Sequence, residues 1–211
     1  MSQTITIRKG LDINMKGKAE KVLVEGSKSK LFSIQPPDFT GLTPKLVVKV
    51  GDKVKAGSPI FFDKYRDSIQ YVSPTSGVIK DVVRGAKRRI MEVVIEADAE
   101  ITYLEAAVKD IQQLDRDAVK SMMLSSGLWP FLRMRPIDIV ANPKDTPKSI
   151  FISSFDSNPL APDNDYILDG KSAEFNAGIE MLNKLTAGTV HLQTRKDCNA
   201  VFENAKGVQV N

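Results

Sequence analysis

LVVKVGDKVKAGSPIFF (46–62) and GVIKDVVRGAKRRIMEVVI (77–95) are two versions of one pattern: an apolar strand, a glycine turn and a returning apolar strand. In the first, the β-rich run Leu46 to Val50 is closed by Gly51-Asp52, Val54 follows, Ala56-Gly57 turns again, and Ile60-Phe61-Phe62 begins the next strand. In the second, Val78, Ile79, Val82 and Val83 precede Gly85, and Met91, Val93, Val94 and Ile95 return. Two such halves bury their apolar faces against each other as a small β-sandwich over about Leu42 to Glu96. Asp63 to Ser68 is then an exposed hairpin between them, and Ser73-Pro74-Thr75-Ser76-Gly77 the turn into the second half.

Beyond Tyr103 the pattern changes to mixed helix and strand. Leu104, Ala107, Val108 and Ile111 form one apolar stripe of a helix. Asp115 suits the N-cap of a second helix carrying Val119, Met122 and Met123, with Gly127 as its stop. Pro130 and Pro136 bracket an irregular segment. Ser149 to Ser153 reads as a buried strand followed by the loop FDSNPLAPDND. A helix over about Ser172 to Ala187 places Phe175, Gly178, Ile179 and Leu182 on one face, Gly188 ends it, and Thr189 to Leu192 is the next strand. Strand, loop, helix and strand make one right-handed crossover with parallel strands. One such unit is too little sheet for a finished α/β domain, and the tail NAKGVQVN shows no closing element, so the chain is expected to stop inside a domain. The fold class expected is α+β or mixed: a β domain with an N-terminal extension over 1–100, then a partial α/β region over 101–211.

Composition excludes several function classes. The 211 residues are 42% hydrophobic and 27% charged, as in ordinary globular proteins. No run approaches the roughly 18–20 apolar residues of a membrane helix, and the N-terminus lacks the apolar stretch of a signal peptide, so a cytosolic location is expected. The net charge of +4 favours acidic partners or an anionic membrane surface. Its densest part is Arg84, Lys87, Arg88 and Arg89, readable as a phosphate-binding patch or as a solvated turn; without interleaved aromatics, nucleic acid is not an expected partner. The single His191 lies in an apparent strand and supplies no metal site, and Cys198 has no neighbour that activates a thiol. No catalytic, cofactor-binding or metal-ligating residue is assigned. Trp129, Phe131, Arg133 and Arg135 form an aromatic–basic cluster that faces a quinone or a partner protein, or else fills core with its arginines solvated.

VKVGDKVKAGSPIFF followed by SPTSGVI resembles the biotinyl/lipoyl domains, also called barrel-sandwich hybrids. Those carriers present a modifiable lysine at the hairpin tip; here the tip falls nearest Arg66, with Lys64 as the other possibility. The later part resembles flavin-binding subunits of NADH dehydrogenases and of Rnf complexes, whose glycine-rich loop G-x-G-G-A-x-F-P-T approaches a flavin phosphate. This chain has SSGLWPFLRMRPIDIV there, and Leu128, Trp129, Pro130 and Phe131 are too bulky for that approach. ISSFDSNPLAPDND stands where the family has N-x-x-E-x-E-P, so the scaffold is expected without its flavin.

In combined order, ITIRKGLDINMKG, VKVGDKVKAGSPIFFDK, SPTSGVIKDVVRGAKR, LDRDAVKSMMLSSGLWPFLRMRP, FDSNPLAPD and FNAGIEMLNKLTAGTVH resemble the N-terminal portion of the NqrA family, found in bacterial Na+-translocating NADH:quinone reductases. The resemblance implies a peripheral subunit on the cytoplasmic side of the inner membrane. Its partners would be the other subunits of a complex that passes electrons from NADH through flavins to quinone and exports sodium. The implied role is non-catalytic alone, with no cofactor of its own and a contribution to quinone handling. A biotinyl/lipoyl carrier and an Rnf-type flavin subunit are the alternatives.

Overall fold

The computed structural model describes residues 6, 13, 15–17, 19–105, 110–196, 198 and 200–211. By their contacts they fall into two compact units. One comprises 26–110 with 117–145, and the other comprises the described residues up to 25 with 111–116 and 146–211.

The first is the β unit. Its strands are β1 (Leu31–Ile34), β2 (Pro44–Leu46), β3 (Lys53–Val54), β4 (Pro59–Asp63), β5 (Arg66–Val72), β6 (Gly77–Arg84) and β7 (Ile90–Ala97). They form two antiparallel sheets, ordered β1-β7-β6-β3 and β2-β4-β5. Ile60, Phe61, Ile69 and Tyr71 of one sheet and Ile79, Val93 and Ile95 of the other are almost wholly buried. Burying each such side chain contributes about 1.5–3 kcal/mol, so these seven dominate the unit's stability. Phe61 stacks on Tyr71 with ring centroids 4.9 Å apart, and Phe39 meets Tyr71 edge-on at 4.6 Å. The expected barrel-sandwich hybrid is therefore present.

One strand is displaced from its expected place. The run Leu46 to Val50 looked apolar throughout, but pairing covers Pro44–Leu46, and Val47 and Val50 are more than half exposed. Pairing with β4 fixes the register at Lys45↔Phe62 and Leu46↔Phe61, and the chain leaves the sheet before its valines are covered.

The turn Ser73–Ser76 carries the chain from one sheet to the other and is buried, which requires its polar groups to be satisfied internally. Ser73 donates from its hydroxyl to the Thr75 carbonyl, the Ser76 hydroxyl accepts from Thr102 N–H at 3.0 Å, and Gly57 N–H reaches the Ser73 carbonyl at 2.8 Å. Gly77 follows at φ +153°, where a Cβ would drive into the Glu96 carbonyl of the neighbouring strand.

The remainder of the β unit is helix α1 (Arg116–Ser125) from Asp117 onward, a 3-10 turn at Trp129–Phe131, and a short hairpin of β8 (Arg133–Met134) and β9 (Ile139–Val140). Helix α1 ends as expected. Leu128 N–H bonds back to the Met123 carbonyl at 3.1 Å, and Gly127 supplies the left-handed residue (φ +73°) such a stop requires. The segment expected to be irregular between Pro130 and Pro136 is thus partly ordered. The helix expected from Leu104 to Ile111 rests on 106–109, which lie outside the described residues; Ile111–Gln113 is a 3-10 turn.

The second, α/β unit contains β10 (Ile150–Ser153), α2 (Asn164–Ile167), α3 (Ser172–Leu185), β11 (Val190–Gln193), α4 (Ala200–Glu203) and β12 (Gln209–Val210). Its strands are parallel in the order β10-β11-β12. The expected β10–α3–β11 crossover is present. The tail, expected to lack an element, instead adds β12, pairing Gln209 with His191 and Val210 with Leu192. Sequence pattern misses a two-residue strand because periodicity needs more length. Strand β10 is also less buried than expected: Phe151 is 66% exposed, since β10 is an edge strand with one face uncovered. Phe175, Ile179 and Leu182 of α3 are half-buried or buried, whereas Gly178 is exposed. Leu192, Val201 and Phe202 form the core, joined by Ile152, Phe175 and Cys198.

Replacing Gly77 by alanine forces a backbone clash with Glu96 and is expected to lower unfolding stability by about 3 kcal/mol. Gly26→Ala, with open space around its Cβ, should stay within about 0.5 kcal/mol. Urea denaturation followed by circular dichroism measures both.

Candidate functional site

The β4–β5 hairpin is where a biotinyl/lipoyl carrier presents its lysine, and its chemistry here is different. Strand alternation puts Asp63 on the same face as Phe61, so its carboxylate points inward and is only 1% exposed. The tight turn brings Arg66 opposite Asp63. Arg66 places Nη2 and Nε each 2.7 Å from Asp63 Oδ2, while Tyr65 N–H donates to Oδ1 at 3.2 Å. The remaining guanidinium nitrogen, Nη1, donates to the Val140 carbonyl at 2.8 Å. One arginine therefore joins the hairpin to β9.

Most of the expected exposed hairpin is exposed: Lys64, Tyr65, Asp67 and Ser68 face solvent, whereas Asp63 is buried and Arg66 is partly so. Even Lys64 is tied through its backbone, N–H to the Thr43 carbonyl at 2.8 Å. A lysine that must carry a group between distant sites needs a free tip, and this tip is clamped on both sides.

Tyr71 lies beneath this pair, 2% exposed, with a hydroxyl that has no hydrogen-bond partner. Burial pushes its pKa up to about 12, and the Asp63 charge adds to the rise while Arg66 and Arg133 oppose it.

The aromatic–basic cluster surrounds β8 and β9. Trp129 is buried and donates its indole N–H to the Ala141 carbonyl at 2.8 Å, and Ala141 N–H donates to Leu132. Phe131, the other residue with a core reading, is instead 75% exposed. The 3-10 turn puts Trp129 and Pro130 inward, which sends Phe131 outward. The arginines are not simply solvated. Arg133 pairs with Asp138 at 3.2 Å and also donates to its carbonyl; Arg135 approaches the same carboxylate at 3.8 Å. Asp138 holds φ +51°, a left-handed turn that aspartate tolerates. Exposed Leu128, Phe131 and Ile137 thus share this part of the unit with Arg135, whose side chain is 79% exposed.

The segment that reads SSGLWPFL ties up its backbone N–H groups internally. Leu128 N–H bonds to Met123, Phe131 N–H to Leu128 and Leu132 N–H to Trp129, and Pro130 has none. These amides are engaged within the segment itself.

In the α/β unit His191 stacks on Phe151 at 4.7 Å and its Nδ1 lies 3.3 Å from Asn211 Nδ2, a structural environment. Burial pushes the Cys198 thiol up, which disfavours a reactive thiolate. Among the described residues no group of three His, Cys, Asp or Glu is placed to hold a metal ion, and no helix is long and apolar enough to cross a membrane.

Trp129, Phe131, Arg133 and Arg135 lie around one hairpin, as the sequence grouped them, whereas the Asp63–Arg66 pairing, Tyr71 and Asp138 were not read from the sequence. The signal for Asp63 was available: two positions after Phe61 in a strand, an inward carboxylate needs a partner, and Arg66 lies across the turn.

Comparison with known families matches residues 5–98 to the NqrA N-terminal barrel-sandwich hybrid domain and 114–211 to the NqrA second alpha/beta domain. Among curated proteins, the chain is 37% identical over 189 residues to the A-subunit of the Na+-translocating NADH-quinone reductase of Alcanivorax borkumensis, covering 88% of this chain and 42% of that protein. The proteins of the same description from Vibrio vulnificus and Histophilus somni are 35% identical over 190 residues and 36% over 197. Those matches cover 89% and 92% of this chain, and 43% and 44% of the relatives. The chain thus spans less than half the length of these relatives.

Arg66→Met leaves the Asp63 carboxylate buried without its cation and is expected to cost about 3–5 kcal/mol, with Asp63→Leu/Arg66→Met recovering most of that loss. Thermal denaturation of the two variants checks both values.

Tyr71 gives a separate, pH-dependent expectation. Its pKa is raised from 10.0 in the unfolded chain to about 12 in the fold, so the unfolded state loses the proton first. The stabilising contribution is full below pH 10.0 and is lost as pH rises toward about 12. Stability measured across that range should fall less steeply in Tyr71→Phe than in the parent chain.

Proposed function

The chain belongs to the NqrA family, and from that membership we propose that it is part of the NqrA component of a bacterial Na+-translocating NADH:quinone reductase. The observation that carries this reading is the presence of both family domains, in order, across 5–98 and 114–211. In this reading the component is peripheral, on the cytoplasmic side of the inner membrane. It assembles with the other subunits of a complex that moves electrons from NADH through flavins to quinone and exports sodium. We place the boundary between its two domains near residue 100, with 117–145 packing back onto the β unit.

Within that complex the contribution of this part is positional. The buried Trp129 and the Asp63–Arg66 clamp hold the β8–β9 hairpin rigid. Phe131 and Arg135 project from its neighbourhood as an aromatic ring and a guanidinium group. An exposed aromatic beside an arginine is the composition enriched at protein interfaces. It also suits the edge of a quinone site, where the ring stacks and the cation meets a carbonyl oxygen. This surface is the proposed point of contact with a neighbouring subunit, close to bound quinone.

The test is made in the whole complex. Phe131→Glu/Arg135→Glu in full-length NqrA should either release that protein from the complex during purification or raise the KM for quinone about tenfold, with unchanged circular dichroism. A complex that retains the variant protein with an unaltered quinone KM would refute the role given to this surface. The isolated chain should show no NADH:quinone turnover.

A further inference from the structure

We propose that the β6–β7 end of the β unit holds a binding notch for a phosphate group with adjoining apolar atoms, a site separate from the Phe131–Arg135 surface. The notch has a volume of about 390 Å³ and is lined by Leu42, Thr43, Pro44, Arg84, Arg88, Arg89 and Ile90. Three of the seven lining residues are arginines, and the lining contains no carboxylate. Among the described residues, none of the three forms an ion pair, in contrast to Arg66, Arg133 and Arg135 of the same unit.

The loop that brings the arginines together has an unusual backbone. Arg89 N–H closes it onto the Ala86 carbonyl at 3.2 Å, and the two central residues, Lys87 and Arg88, both lie at left-handed φ of 53° and 59°. Such a turn joins antiparallel strands well, but its central positions favour Asn-Gly, because both need a positive φ that most side chains disfavour. Here both positions carry long cations. Arg84 is steered into the same place by its Nη1 hydrogen bond to the Arg88 carbonyl at 3.2 Å. Four cations lie within six residues of this loop and repel one another. An anion that bridges them removes the repulsion.

The chemistry of the lining selects the anion. Guanidinium groups form charge-assisted, often bidentate hydrogen bonds with phosphate oxygens, and the Thr43 side chain offers a further donor. Leu42, Pro44 and Ile90 supply an apolar wall that bare inorganic phosphate does not use. A phosphate ester, whose carbon substituent lies on that wall, uses the whole notch. Two sources supply this chemistry: an anionic phospholipid headgroup and a soluble phosphate ester. The inference does not rest on the assignment of the chain to a respiratory complex.

Two arms of one experiment distinguish the sources, using this chain. In the first, co-sedimentation is measured with phosphatidylglycerol vesicles and with phosphatidylcholine vesicles. In the second, glycerol 3-phosphate is titrated against the chain by calorimetry. Binding to the anionic vesicles alone identifies the lipid headgroup, and binding of glycerol 3-phosphate identifies a soluble ester. In either case Arg84→Gln/Arg88→Gln should weaken binding at least about tenfold while the circular dichroism spectrum is unchanged. Lys53→Gln, a cation of the same unit outside the notch, should leave binding within about twofold. Failure to bind in both arms, or equal loss in the Lys53 and arginine variants, would overturn the proposal.

Discussion

The β unit depends on one electrostatic constraint: a carboxylate sealed from water must have its charge answered inside the protein. Asp63 is almost completely buried at the end of β4, and an unpaired carboxylate there is too costly to persist. Arg66 answers it across a tight turn, which fixes the hairpin, and has one guanidinium nitrogen left over. That nitrogen meets the Val140 carbonyl 74 residues away in sequence, so the same charge that rigidifies the tip also seats the β8–β9 hairpin. The Trp129 indole secures the other side of that hairpin at Ala141. The hairpin tip is thereby a structural junction.

Much of this was legible in the sequence, and what escaped has common physical causes. The paired strand–glycine–strand halves identified a two-sheet β domain, although β3 of the first half joins the sheet of β6 and β7 rather than that of β4. Helix α3 and its flanking parallel strands were equally clear, since Phe175, Ile179 and Leu182 repeat at helical spacing and Gly188 marks the stop. Gly188 is required there for a reason the sequence does not show: a Cβ would collide with the Lys148 carbonyl. The errors fell where burial depends on distant chain. Val47 and Val50 look like core but leave the sheet, Phe131 looks like core but is turned outward by its neighbours, and β12 is too short to have a period.

The candidate site was half legible for a related reason. Residue types announce chemistry only when a pairing is local or a motif is long. Arg133, Arg135, Trp129 and Phe131 stood out by composition, yet their roles diverge: one aromatic is internal and hydrogen-bonded, the other is exposed, and both arginines share Asp138. The degenerate glycine loop was read from its bulk, and the structure adds its backbone bonding. A 3-10 turn directs its N–H groups to carbonyls three residues back, which is where the amides of Phe131 and Leu132 go.

The treatment of positive charge separates the two surfaces of the β unit. Around β8 and β9 each arginine is matched by a carboxylate, Asp63 for Arg66 and Asp138 for Arg133 and Arg135, so their electrostatics are largely spent in holding the fold. Around the β6–β7 loop the same residue type appears three times without such a match. The two left-handed turns make the contrast sharper. Asp138 sits at φ +51° where a short polar side chain is well tolerated and immediately serves two arginines. Lys87 and Arg88 sit at nearly the same φ, and among the described residues neither side chain forms an ion pair. Identical backbone strain is thus offset by internal contacts in one place and not in the other. In the second case the cations are left to solvent or to an anion from outside the chain, and the proposed notch takes the latter.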